Sequence, residues 1–196
     1  MKAEIGNLCG VILAGGRGTR LGGRDKGLQE YQGRPLVEHL LTRLQPQLKQ
    51  LMININRNQQ QYRNYNLTLC QDRWPDYRGP LAGMASAFDA TEAPYLLFCP
   101  CDTPLIPNDL VTRLIESQNQ QQRALTVVES PRGVQPLCCL MHRSLHPSLL
   151  DYLDRGERRV QEWMRQQQPA ITHYQSDHPF KNINTVAQIQ IESRGA

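Results

Sequence analysis

The sequence has no apolar run near the ~20 residues that a membrane helix needs. Its first apolar stretch, Val11-Ile12-Leu13, runs straight into glycines. Met1 to Asn7 carries Lys2 and Glu4 and no apolar stretch ahead of a cleavage site, so no secretion signal is expected. These absences point to a cytoplasmic protein without a membrane partner. The six cysteines (Cys9, Cys70, Cys99, Cys101, Cys138 and Cys139) include no Cys-x-x-Cys pair and no His/Cys set at zinc spacing. No pattern for a cysteine-built metal site is left, and buried reduced thiols are expected. The basic residues form no long run interleaved with aromatics, which argues against nucleic acid as a partner. The five histidines are scattered, and no Ser/His/Asp or Cys/His nucleophile set stands out.

What is present suits one globular domain. The chain has 196 residues, 39% hydrophobic and 20% charged, enough to build a core. A net charge of +4 fits a protein that handles phosphorylated small molecules. Leu8 to Leu13 reads as a strand whose unbroken apolar run implies burial on both faces. Residues 35–50 place Leu36, Val37, Leu40, Leu41 and Leu44 at helical spacing, with Pro35 in the first turn and Pro46 as the stop. Further strands are expected at 51–55, 67–70, 95–99, 125–128, 136–141 and 170–174. Helices are expected at 81–90, 108–117, 145–154, 158–167 and 185–191. The glutamine tracts at 118–122 and 166–168 read as solvated helix ends and loops. Strand alternating with helix predicts a single-domain α/β fold, with a mostly parallel central sheet, helices on both faces and right-handed crossovers. Ligands then belong at the carboxyl ends of the strands.

The residues just after the strands bear this rule's chemistry. After the first strand come Ala14-Gly15-Gly16-Arg17-Gly18-Thr19-Arg20-Leu21-Gly22-Gly23-Arg24-Asp25-Lys26, with five glycines in nine positions and four cations. Glycines let backbone N–H groups close on an anion, and Arg17, Arg20, Arg24 and Lys26 add fixed charge, so this is a phosphate-binding loop. It is not a Walker loop, because Lys26 is followed by Gly27 rather than Ser or Thr. Nor is it Gly-x-Gly-x-x-Gly, since Leu21 stands at the last position and Ile53-Asn54-Ile55-Asn56 offers no acid for a ribose. After the strand at 95–99 comes Cys101-Asp102-Thr103-Pro104. Asp102 is a hard carboxylate at the same edge, suited to Mg²⁺ shared with substrate phosphates, although Asp before Thr-Pro is also ordinary turn chemistry. Asn54, Asn56 and Asp72 follow strands and can read a base or ribose, or can simply cap turns. Arg78-Gly79-Pro80-Leu81-Ala82-Gly83 opens a small-residue helix, which allows close approach of a flat ligand or plain tight packing.

Taken together, Leu13-Ala14-Gly15-Gly16, Gly22, Asp25-Lys26, Gly79-Pro80-Leu81-Ala82-Gly83 and Cys101-Asp102-x-Pro104 resemble nucleotidyltransferases with a glycosyltransferase-A-like fold. With Gln135-Pro136-Leu137, Gly156-Glu157-Arg158-Arg159-Val160 and Phe180-x-Asn182-Ile183-Asn184-Thr185 added, the set is most similar to the molybdenum cofactor guanylyltransferases, over about residues 9 to 190. The resemblance implies transfer of GMP from GTP to the terminal phosphate of molybdenum-bound molybdopterin, with release of pyrophosphate and dependence on Mg²⁺. It implies nucleotide contacts from Leu13, Ala14, Gly15, Gly16, Lys26, Asn54, Asp72 and Gly83. It further implies that Asp102 binds both metal and nucleotide, and that Arg20 and Lys26 neutralise the leaving group. Arg158, Asn182 and Asn184 fall on the pterin side, so residues 8–105 form a nucleotide half and 106–196 an acceptor half. Pterin-handling proteins and molybdoenzymes are the implied partners. Val186 departs from the proline common there in relatives, which touches helix entry rather than chemistry. A cytidylyltransferase, a sugar-phosphate nucleotidyltransferase and a non-catalytic delivery protein are the competing readings.

Overall fold

The computed structural model describes residues 2–16, 25–76 and 78–183. The expected helix at 185–191 lies outside them. The first strand, β1 (Leu8–Leu13), is buried along its whole length, as its unbroken apolar run requires. A short hairpin of β2 (Glu30–Tyr31) and β3 (Arg34–Pro35) leads into α1 (Leu36–Leu44). That helix buries Leu36, Val37, Leu40, Leu41 and Leu44 and stops two residues ahead of Pro46. β4 (Leu51–Asn54), the short α2 (Gln59–Tyr62) and β5 (Thr68–Cys70) follow. Next come α3 (Pro80–Asp89), β6 (Tyr95–Pro100) and α4 (Leu110–Gln121). The chain then makes β7 (Leu125–Ser130), β8 (Gly133–His142), α5 (His146–Asp154), α6 (Val160–Gln166) and β9 (Ala170–His173).

One seven-stranded sheet, in the order β5-β4-β1-β6-β8-β7-β9, runs through the molecule. Strands β5, β4, β1 and β6 pair in parallel, as do β7 and β9. Only β8 runs against its neighbours β6 and β7. Its hairpin with β7 needs just the residues between Ser130 and Gly133, where a parallel pair would need a crossover. The sheet is therefore mostly parallel, with one reversed strand that the alternation of elements had not revealed.

Period-two alternation sends each strand's side chains to two cores. Leu8 and Ile12 join Val37, Leu40 and Leu44 of α1 and Leu110, Val111 and Leu114 of α4 on one face. Cys9, Val11 and Leu13 join Met84 and Phe88 of α3, Leu149 and Leu153 of α5, and Trp163 of α6 on the other. All six cysteines are buried and free, and burial pushes the Cys9 thiol up to about 11 and Cys70 up to about 12. They pack as small apolar residues.

One polar tract departs from the expectation of solvated glutamines. Gln118 is only 4% exposed, and its Oε1 accepts from the Thr126 hydroxyl at 3.2 Å. Gln121 donates to the Ile171 carbonyl and accepts from the Ile171 N–H at 3.1 and 3.2 Å. β9 is an edge strand with backbone groups that no further strand pairs, and α4 satisfies one residue of it through this amide.

β6 lies between β1 and β8, and its Leu97 is wholly buried. Leu97→Ala removes buried methyl groups and leaves a void, so it should cost about 2–5 kcal/mol of stability. Urea unfolding, read as a lower midpoint with an unchanged slope, checks this.

Candidate nucleotide site

The chain leaves β1 to form β4 on one side of it, and later places β6 on the other. The carboxyl end of β1 is thus where strand order reverses, and open α/β sheets have a crevice at such a point. Backbone bonds hold the strand ends level there. The Ala14 N–H donates to the Asn54 carbonyl at 2.9 Å, Cys101 to Leu13 at 3.0 Å and Ile55 to Cys70 at 2.8 Å.

A cavity of about 380 Å³ opens at this edge. Leu13, Ala14, Gly15 and Gly16 line it after β1, and Asn54 and Asp72 after β4 and β5. Pro100, Cys101 and Asp102 line it after β6, and Lys26, Gly79, Pro80 and Leu137 complete the wall. The structure therefore gathers eight of the expected nucleotide-site residues around one space: Leu13, Ala14, Gly15, Gly16, Lys26, Asn54, Asp72 and Asp102. Gly83 does not line it. This glycine sits inside α3, directly behind the wall, where a Cβ would stand 2.5 Å from Asn54 Oδ1 and 3.3 Å from Asp72 Oδ1. Its contribution is to let two wall residues pack close to the helix.

Among the described residues, an ion pair inside the cavity joins the two motifs that sequence had kept apart. Lys26 Nζ lies 2.5 Å from Asp102 Oδ2, with side-chain exposures of 22% and 15%. The loop beyond Asp102 is held as well. The Asp102 carbonyl accepts from the Ile183 N–H at 2.8 Å, and the Thr103 hydroxyl donates to Asn182 Oδ1 at 2.9 Å. Asn182, expected on the acceptor side, is thereby one residue contact away from Asp102.

Asn54 and Asn56 form a polar wall with Asp72. Asn54 Nδ2 donates to Asp72 Oδ1 at 2.9 Å, and Asn56 Nδ2 donates to Asp72 Oδ2 at 2.7 Å and to the Gly15 carbonyl at 2.6 Å. The Asp72 N–H donates in return to Asn56 Oδ1 at 3.0 Å. Burial raises the Asp72 pKa above its ordinary value, and the two amides oppose that shift. The carboxylate fixes both amides, so the wall offers a rigid set of donors and acceptors to a ligand.

A second carboxylate, Asp25, had been read only as part of the loop. It is 6% exposed. Oδ1 accepts from the Tyr62 hydroxyl at 2.7 Å and the Gly27 N–H at 3.1 Å, and Oδ2 accepts from Asn58 Nδ2 at 3.0 Å. Arg57 Nε lies 3.8 Å from Oδ2, and Arg57 also donates to the Gly16 carbonyl at 3.2 Å. Sequence reasoning missed Arg57, Asn58 and Tyr62. The signal was their place directly after β4, at the edge where ligands bind.

Arg158 is not at the cavity. It donates to the carbonyls of Leu153 at 3.0 Å and Glu157 at 2.7 Å. It shares the Leu153 oxygen with Arg78, the residue before cavity-lining Gly79. Arg20, with the rest of residues 17–24, and Asn184 lie outside the described residues. Among the described residues no group of three or more His, Cys, Asp or Glu side chains could hold a metal by itself. No helix among them is long and apolar enough to cross a membrane.

Known proteins resemble this chain in sequence and in fold. The molybdenum cofactor guanylyltransferase of Shewanella halifaxensis is 42% identical over 182 residues, 92% of this chain and 90% of the relative. The one from Bordetella petrii is 42% identical over 188 residues, 94% of this chain and 96% of the relative. The molybdopterin-guanine dinucleotide biosynthesis protein A of Archaeoglobus fulgidus shares the fold, with a TM-score of 0.75 at 18% identity over 95% of this chain and 97% of that one. The family described as the MobA-like NTP transferase domain matches residues 10–171, and this chain, a nucleotidyltransferase, belongs to it.

Proposed function

We propose that this chain transfers GMP from GTP to the terminal phosphate of molybdenum-bound molybdopterin, releasing pyrophosphate. The observation that carries the reading is the Lys26–Asp102 pair at 2.5 Å inside a cavity walled by the post-β1 glycines and the Asn54–Asp72 wall. The names of its relatives supply the substrates. GTP enters with its base toward Asn54 and Asp72 and its phosphates toward Gly15, Gly16 and Lys26. The acceptor approaches past Asp102, from the side of Asn182.

The donor set fits Mg²⁺. Asp102 offers a carboxylate whose Oδ1 faces the Thr103 hydroxyl at 3.5 Å. One such oxygen together with phosphate oxygens and water is how this small, hard ion is usually held, so no larger cluster of protein ligands is needed. Bound there, Mg²⁺ would neutralise phosphate charge and make the α-phosphorus more electrophilic.

The chain's own residues do the rest. An acceptor phosphate oxygen is anionic at neutral pH and needs no general base, which accounts for the missing nucleophile and histidine machinery. It attacks the α-phosphorus, a new P–O bond forms, and the bond to the bridging oxygen breaks with its electron pair leaving on pyrophosphate. Lys26 transfers from Asp102 to the phosphates and stabilises the charge on that leaving group. Arg20 serves the same charge from the glycine loop. The glycine backbone, the Asn54–Asp72 wall and Gly83 behind it hold the nucleotide in line, so positioning and charge account for the rate. Arg158, Asn182 and Asn184 serve the acceptor. On this reading the protein works in the cytoplasm and passes its product to molybdoenzymes.

Incubation with Mg²⁺, the molybdenum-bound pterin and each of four nucleoside triphosphates, with products weighed by mass spectrometry, tests the reading. A guanine dinucleotide made from GTP alone is expected. A cytosine product would contradict the base assignment, and no product with any nucleotide would contradict the reaction. In the same assay Asp102→Asn and Lys26→Ala should each lower kcat by about 10²–10³-fold. Gly83→Ala, which drives a methyl group into Asn54, should raise the KM for GTP about tenfold by breaking a hydrogen bond to a charged wall residue.

A further inference from the structure

We infer that Asp25 is a positioning residue for Lys26, and that Tyr62 and Asn58 are its anchors. The inference rests on the reading of the cavity as a nucleotide site and assigns residues that reading leaves unused. Asp25 Oδ1 accepts from the N–H of Gly27, two residues on, so Lys26 stands at the apex of an Asx turn. The turn is fixed on both sides. Gln29 Nε2 donates to the Asp25 carbonyl at 3.1 Å, and the Val37 N–H donates to the Gly27 carbonyl at 3.0 Å.

Such a turn in water would be loose. Here its carboxylate is 6% exposed and bonded to Tyr62 at 2.7 Å and Asn58 at 3.0 Å, both in or beside α2. A buried carboxylate is costly unless its oxygens are filled, and these accept three hydrogen bonds from two parts of the chain, with the Arg57 guanidinium 3.8 Å away as a countercharge. Burial, and then the charge of Asp25, raise the Tyr62 pKa, so the phenol remains a donor throughout the working range. Tyr62 approaches this closely because residue 27 is glycine: a Cβ there would stand 2.3 Å from the Tyr62 oxygen.

The same brace holds the other end of the glycine loop. Asn56 and Arg57 donate to the carbonyls of Gly15 and Gly16, while Arg57 and Asn58 face Asp25. Three consecutive residues after β4 therefore grip the loop where it leaves β1 and where it returns. Lysine has a long side chain with many rotamers, and fixing its Cα leaves fewer of them to search before Nζ meets a phosphate.

A double-mutant cycle separates positioning from mere folding. Affinity is measured by calorimetry with Mg²⁺ and whichever of four nucleoside triphosphates the unmodified chain binds best. Tyr62→Phe is the main variant, because Asp25→Asn would set an amide against existing donors and can unfold the loop. Thermal unfolding of each variant runs in parallel. Lys26→Ala should weaken binding by about tenfold or more. Tyr62→Phe should weaken it by about tenfold with Lys26 present, yet by less than about twofold in the Lys26→Ala background. Equal losses in both backgrounds would overturn the inference, as would an unchanged affinity in Tyr62→Phe. An unmodified chain that binds none of the triphosphates would sink the nucleotide reading itself, before any variant is made.

Discussion

The site depends on one charge pair, Lys26 with Asp102, which joins the returning end of the glycine loop to the end of β6 inside the cavity. Each partner is half-buried where water screens poorly, and each would cost free energy there alone. Paired, they wait without net charge. On the proposed reading, a triphosphate with its metal brings about four negative charges and two positive ones and would match the pair term by term: phosphate for Lys26, cation for Asp102. The pair and the loaded site would then use the same two side chains, with little rearrangement between them.

The fold exists, in physical terms, to bring those two residues level. Parallel strands β4, β1 and β6 end at one edge because crossovers through α1 and α3 return the chain to the same starting side. Their apolar runs bury both faces, so the strands cannot slip by one residue without exposing a core. Small residues along α3 bring that helix close to the sheet, and Gly83 brings it closest, against Asn54. The polar wall is rigid because Asp72 binds two asparagine amides at once.

Much of this was legible in the sequence. The run Leu8–Leu13, the helical spacing after Pro35 and the small-residue helix follow from local patterns, and each formed within a residue or two of its expected bounds. Asp102 could be named because it sits just past a strand, and Lys26 because it stands at the end of the glycine-rich loop that follows one. What was not legible depends on contacts across the chain. The reversed strand β8 looks like any other apolar run until its neighbours are known. Gln118 reads as solvated until Thr126 is placed against it. Asp25 looks like loop polarity, because its partners Asn58 and Tyr62 are 33 and 37 residues away and belong to a helix too short to show a period. The acceptor role of Arg158 rests on resemblance alone, and its guanidinium donates to the carbonyls of Leu153 and Glu157 away from the cavity lining.

The central claim is that Asp102 takes the metal when the triphosphate takes Lys26. Crystals grown with GTP and Mn²⁺ in place of Mg²⁺, and the metal located by its anomalous scattering, test it most directly. The account predicts a single strong peak within about 2.0–2.3 Å of an Asp102 carboxylate oxygen, near the range of a hard cation on oxygen, with Lys26 turned to the phosphates. A metal bound to phosphates alone, with the Lys26–Asp102 pair still closed, would contradict it.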